Sequence, residues 1–265
     1  MQNYSFFNYK YSKSNKLMYI IGSKIINLDK INSTNDFAST LLSKDKQPEG
    51  TIVLTEYQTN GKGQGSNIWY SSKGENILMS LILYPEFLDV SKQFYLSEMV
   101  TLSIIKMIEE NLNLECKIKW PNDIFLNNKK IGGVLIKNSI KGQKIKNSVI
   151  GIGLNVNQKK FSKELPNAGS LAIESGKELN KQELFYALLK NLDEYYIRLK
   201  NKGFDKIKQE FVLKLLGYNS VLKCQSKDGE RFNAKIETVK ETGEIVLNVN
   251  NELRSFMHGQ IRFII

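Results

Sequence analysis

The sequence is poor in metal ligands and in nucleophiles. Among its 265 residues there is one histidine, His258, and there are two cysteines, Cys116 and Cys224. So few imidazoles and thiols exclude a zinc centre built on His and Cys clusters. They also exclude a disulfide framework, in keeping with a cytoplasmic setting. A Ser-His-Asp hydrolase would have to rest on His258 alone, and no nucleophile-elbow motif accompanies it. Proline is scarce, with 4 residues, and the 18 glycines show no period, which rules out a fibre. The longest apolar run, Ile77 to Tyr84, is far too short for a membrane span, and no signal-type segment opens the chain. Arginine is rare as well: only Arg198, Arg231, Arg254 and Arg262 are found among the 38 basic residues. The net charge of +11 is therefore carried by lysine, which suggests an AT-rich genome more than a reader of nucleic acid, where Arg forks dominate. A soluble globular protein that binds neither a specific nucleic acid nor a membrane is expected.

What is present is 41% hydrophobic residues in alternating and helical patterns, enough for a sizeable core. Strands are predicted over Tyr19–Leu28, Thr51–Tyr57, Ile77–Leu83, Lys117–Trp120 and Ser148–Val156. A hairpin is predicted from Asp123–Leu126 and Ile131–Ile136 about Asn127-Asn128. Helices are predicted after the capping cluster Asn32–Asn35, over Val90–Leu112, through Leu184 to Tyr195, and over Phe204–Leu216. Met1 to Met18 shows no clear periodicity. At Gly217 the pattern changes to five short strands with turns near Asp228-Gly229, Thr242-Gly243 and Asn250-Asn251, the mark of a small barrel. The fold class is α+β: a domain of mixed sheet and helices over residues 1–216, then a small all-β domain over 217–265.

Four segments carry chemistry. Gly61-Lys62-Gly63-Gln64-Gly65 offers backbone N–H groups and a cation to an anion, followed by Trp69. It is neither a Rossmann fingerprint nor a P-loop, and alone it could be a surface loop. Lys119-Trp120-Pro121-Asn122-Asp123 sets an amide beside a carboxylate at a bend, suited to a polar ligand edge, to Mg²⁺ or to a proton. Lys130-Ile131-Gly132-Gly133 puts a cation next to glycines that permit close approach, and Gly151-Ile152-Gly153-Leu154-Asn155 repeats that theme on another strand. Each could be structural, but packing gives no reason for all four.

With Ser33-Thr34-Asn35 and Gln58 ahead of them, these segments resemble the biotin protein ligases, also called biotin–[acetyl-CoA-carboxylase] ligases. The resemblance runs from about Tyr19 to the C-terminus, and Lys119–Asp123 is its most specific motif. It implies a catalytic domain related to class II aminoacyl-tRNA synthetases, followed by an SH3-like barrel. It also implies two steps: biotin and MgATP give biotinyl-5′-AMP, and a lysine of a biotin carboxyl carrier protein then takes the biotinyl group.

Carried over by position, Lys130, Lys62 and Asp123 are the catalytic candidates. Ser33, Thr34, Asn35, Gln58, Gly61, Lys62, Lys130 and Gly133 would bind biotin. Gln64, Trp69, Asn122, Lys130 and Asn155 would bind the nucleotide, and Asp123 would be the partner of Mg²⁺ or of the incoming amine. The chain departs from the family at Gln64, commonly Arg, at Ser66, commonly Gly, at Lys137, commonly Glu, and at His258-Gly259-Gln260; no role is carried onto residues 217–265. A lipoate or octanoate ligase of the same superfamily and a basic nucleic-acid-binding module are the competing readings. The first lacks its Arg-Arg and His-Asp signatures here, and the second lacks clustered Arg. The first strand is expected after about eighteen residues, too few for a helix-turn-helix domain ahead of it, so a monofunctional ligase is expected, as monomer or homodimer.

Overall fold

The computed structural model describes residues 19–264 and the backbone of 5–6. At its centre lies β4 (Asn76–Leu83), buried at all eight positions, as a strand covered on both faces must be. Its side chains divide by the period of two. Ile77, Met79, Leu81 and Leu83 enter the main core with helices α2 (Tyr95–Leu112) and α4 (Lys181–Lys200). Ile82 turns to the other face, where Ala38, Phe37, Leu41 and Leu42 of α1 (Thr34–Lys44) cover it.

Eight strands form the large sheet: β1 (Ser5–Phe6), β2 (Lys24–Leu28), β3 (Thr51–Thr55), β4, β5 (Lys117–Lys119), β6 (Asp123–Leu126), β7 (Lys129–Lys141) and β8 (Lys144–Asn155). Their order is β1-β2-β3-β4-β8-β7-β6-β5. β2 and β3 run parallel, joined through α1, and the other pairs are antiparallel. The short helix α3 (Leu171–Ser175) follows β8, and α5 (Phe204–Lys214) leads to the second sheet. That sheet holds β9 (Leu222–Ser226), β10 (Arg231–Val239), β11 (Ile245–Val249), β12 (Glu252–Phe256) and β13 (Ile261–Ile264), in the order β12-β11-β10-β9-β13. All its pairs are antiparallel. Cys224, Ala234, Ile236 and Leu247 continue the main core, so the two sheets share buried surface.

The mixed α+β architecture, the helices and the five late strands follow the sequence reading, including positive φ at Gly229, Gly243, Asn250 and Asn251 in the turns. Several boundaries need correction. The chain from Ile20 to Ser23 is a turn, where Gly22 donates its N–H to Gly50 O, and the strand begins only at Lys24. Val90–Lys92 is a separate 3₁₀ turn ahead of α2. α5 stops at Lys214 because Leu215 bridges to Ile118 and Leu216 N–H donates to Ile118 O. The hairpin of β7 and β8 is much longer than Ile131–Ile136 and Ser148–Val156, closing through Gly142 at φ 62°. Its outer half is a Lys/Asn-rich ribbon with exposed lysines, and α3 has no counterpart in the sequence reading. Most of Met1–Met18 lies outside the described residues. No helix among the described residues is long and apolar enough to cross a membrane.

Candidate functional site

A cavity of about 260 Å³ opens between α1, the loop 61–69, the β7–β8 floor and the second sheet. Its floor is made of glycines because other side chains need the space. A Cβ on Gly151 would stand 2.6 Å from Asn35 Nδ2, and one on Gly153 would stand 2.5 Å from Trp69 Cε2. The strand therefore forms a seat for an amide at one point and for an indole at the next.

One end of the cavity is polar and uncharged. Ser33 caps α1, its Oγ accepting from Asp36 N–H. Gln58 Oε1 accepts from Thr34 N–H at 2.8 Å and from Thr34 Oγ at 3.1 Å, and Ser80 donates to Thr34 Oγ. Asn35 donates to Leu135 O, which leaves its buried Oδ1 without a partner. An unpaired buried acceptor beside a fixed hydroxyl and amide is the chemistry that receives an N–H of a neutral ligand.

The other end is cationic. Lys130 Nζ lies 2.7 Å from Asp123 Oδ1 and 5.8 Å from the centre of the Trp69 ring. Lys119, Lys62 and Arg262 also line the cavity, so Lys and Arg outnumber the single carboxylate of Asp123. Burial holds the Lys119 ammonium below its ordinary range, aided by the charge on Lys130 and opposed by Asp123. The loop closes as a small hairpin through Gly63 N–H to Asn67 O and Trp69 N–H to Gly61 O. Lys62 at its base pairs with Asp36 at 2.7 Å. Burial works against the Asp36 carboxylate, but hydrogen bonds from Lys62 and Lys137 prevail and hold it below its usual range.

Most of the residues singled out in the sequence line this one cavity: Ser33, Thr34, Asn35, Gln58, Lys62, Gln64, Trp69, Asn122, Asp123, Lys130 and Gly133. Two stand back from it. Gly61 is packed under Trp69, where a Cβ would meet Trp69 O at 2.5 Å. Asn155 is buried beside the cavity with its amide on Gly169 O and its Oδ1 unpartnered. Asn122 donates to Val134 O, tying the Trp120–Asp123 bend to β7. As for Mg²⁺ on Asp123, that carboxylate is already held by Lys130, and no group of three or more His, Cys, Asp or Glu gathers among the described residues.

Sequence reasoning left out a whole wall. His258, Ile261, Arg262 and Phe263 of the second sheet line the cavity. The His258 ring centre lies 6.0 Å from that of Trp120. Burial lowers the pKa of its imidazole, with Asp123 pulling the other way. That His258 is the chain's sole histidine was the available signal. Asp36, directly after Asn35 on α1, carries no motif that would single it out.

A sheet of this order thus carries a cavity that pairs neutral hydrogen-bonding groups with lysines, suited to a small molecule with a neutral polar end and an anionic one. The chain matches the family described as the biotin/lipoate A/B protein ligase family over residues 28–155. It is 30% identical over 245 residues to the bifunctional ligase/repressor BirA of Bacillus subtilis, spanning 91% of this chain and 74% of that protein. With biotin–protein ligase 2 of Arabidopsis thaliana it shares 24% identity over 213 residues, 79% of this chain and 64% of the relative. Among solved structures, a biotin protein ligase from Aquifex aeolicus, in complex with biotin and ATP, superposes with a TM-score of 0.76 at 24% identity. That match covers 91% of this chain and 98% of the other. The chain belongs to the biotin/lipoate A/B protein ligase family.

Proposed function

We propose that the chain is a biotin protein ligase, which activates biotin with ATP and passes it to a lysine of a biotin carboxyl carrier protein. The observation that carries this reading is that one cavity holds both ends of the chemistry. Thr34, Gln58 and the unpartnered Asn35 Oδ1 sit at the neutral end, with Lys130 between Asp123 and Trp69 at the charged end. A ureido ring, neutral and rich in N–H and C=O, matches the first. A carboxylate meeting a phosphate needs the second. A dithiolane would leave the buried Asn35 acceptor unpaired, at a cost of about 1–3 kcal/mol.

In the first step a biotin carboxylate oxygen attacks the α-phosphorus of ATP, the bond to the pyrophosphate oxygen breaks, and pyrophosphate leaves. Two anions must be brought together, so Lys130 and Lys62 lower the barrier by neutralising charge at the point of attack. Trp69, seated on Gly153, offers a flat face for adenine. A divalent ion brought in with ATP, with Asp123 as its proposed protein partner, would add to this neutralisation of the phosphates. In the second step the carrier lysine amine attacks the biotinyl carbonyl carbon, the acyl–phosphate bond breaks, AMP leaves, and the amine loses a proton. Asp123, which lines the cavity paired with Lys130, is the proposed partner of that amine.

Residues 1–216 act as the catalytic domain, of the class II aminoacyl-tRNA synthetase type, and residues 217–265 as an SH3-like barrel that completes the site. The test is biotin-dependent release of pyrophosphate with detection of biotinyl-AMP by mass. Equal release with lipoic acid would overturn the assignment.

A further inference from the structure

Asp36 divides its carboxylate between two lysines that come from different elements. Oδ2 takes Lys62 Nζ of the loop at 2.7 Å, and Oδ1 takes Lys137 Nζ of β7 at 3.1 Å. Only Lys62 lines the cavity; Asp36 and Lys137 stand outside it. The three side chains are between 40% and 44% exposed, so water reaches the cluster and ion pairs there exchange at little cost. One carboxylate serving two ammonium groups leaves a surplus positive charge at the cavity mouth.

We propose that Asp36 is a positioning residue that hands Lys62 over to the acyl-phosphate oxygens of the bound intermediate, while Lys137 keeps Asp36 neutralised after Lys62 has left. This deepens the ligase reading above and rests on it. The physical reason is the fate of the carboxylate. With Lys62 as sole partner, moving it to a phosphate would leave an unpaired Asp36 beside a newly bound anion, and the repulsion would oppose the move. With Lys137 already on Oδ1, the carboxylate stays compensated and Lys62 is released with its full charge. Before ligand arrives, the same pairing keeps Lys62 at the base of the loop and directed to the correct side of the cavity.

The experiment measures dissociation of biotinyl-AMP, supplied synthetically, from wild type, Lys137→Ala, Asp36→Asn and the double variant, with circular dichroism and melting temperature as controls for folding. Lys137→Ala is expected to speed release about two- to fivefold, the range open to a half-exposed ion pair. Asp36→Asn should release no faster than wild type, since Lys62 then has no competing partner, and the double variant should match Asp36→Asn. Lys137→Arg should restore the wild-type rate. The proposal is overturned if Lys137→Ala releases at the wild-type rate, or if its effect persists undiminished without Asp36. Faster release from Asp36→Asn also overturns it, because Asp36 would then be a static clasp for the loop. Wild-type protein that fails to hold biotinyl-AMP would instead overturn the ligase reading, and this inference with it.

Discussion

The indole N–H of Trp120, at the bend between β5 and β6, donates to the carbonyl of Gly243 in the β10–β11 turn at 3.0 Å. Gly243 in turn packs on Phe94, where a Cβ would stand 2.7 Å from the ring. The second sheet is thus fastened to the segment that holds Asn122 and Asp123. Trp120→Phe keeps most of the ring and removes the donor, leaving a carbonyl in the junction unpaired. Stability should fall by about 1–3 kcal/mol. Denaturant unfolding checks this, and an unchanged midpoint would show that the bond does not hold the sheets together.

Lys130→Ala removes the cation that stands against both Asp123 and the Trp69 face. Loss of one such charge from a site where anions meet should cost roughly 2–4 kcal/mol of barrier. Adenylation, followed by pyrophosphate release, should therefore slow on the order of a hundredfold or more. Wild-type turnover would place the phosphate site elsewhere.

Gly153→Ala tests the seat of Trp69. The new methyl would fall 2.5 Å from the indole, so the ring must leave the strand. Overpacking of this kind costs roughly 1–3 kcal/mol. Here it should appear as a KM for ATP raised about five- to 150-fold, with the fold intact and Trp fluorescence shifted. A KM within twofold of wild type, about 0.4 kcal/mol, would show that adenine does not use that face.

Glu98 gives a pH-dependent expectation. Its side chain on α2 is buried with Oε2 unpartnered, and burial pushes the carboxyl up to about 8, with Lys208 opposing and Glu241 adding. The unfolded chain ionises near 4.5, so between about pH 4.5 and 8 the folded chain holds a proton that the unfolded chain lacks. Stability must then fall as pH rises through that window, by at most about 1.4 kcal/mol per unit, and level off above it. Glu98→Gln should lose this slope and melt higher at pH 8. If the slope survives in full, another group causes it.

What could be read from the sequence was local. Ser33 as a cap, the Asn127-Asn128 turn with φ of 46° and 63°, and the glycines of β7 and β8 all announce themselves within a few residues. The charged wall of the cavity was legible because Lys119–Asp123 and Lys130–Gly133 are close in the chain and meet across one hairpin. His258 and Arg262 were not, because their place in the cavity wall depends on packing between segments more than a hundred residues apart, as His258 against Trp120 shows. The outer half of the β7–β8 hairpin was missed for a different reason. Its lysines are exposed and its asparagines half-buried, so no apolar alternation marks the strand. The Asp36 cluster joins α1, the loop and β7, and no spacing in the sequence reports such a junction.

Because the pocket has walls from both sheets, a molecule bound in it becomes part of what holds them together. Its binding free energy is added to their docking, by RT ln(1 + [L]/Kd), or about 2.7 kcal/mol at a hundredfold excess over Kd. Heating the free chain can open the junction at Trp120 and Gly243 ahead of the rest. With the pocket filled, the same junction cannot part without expelling its occupant. Occupancy should therefore draw any two separate melting steps into one.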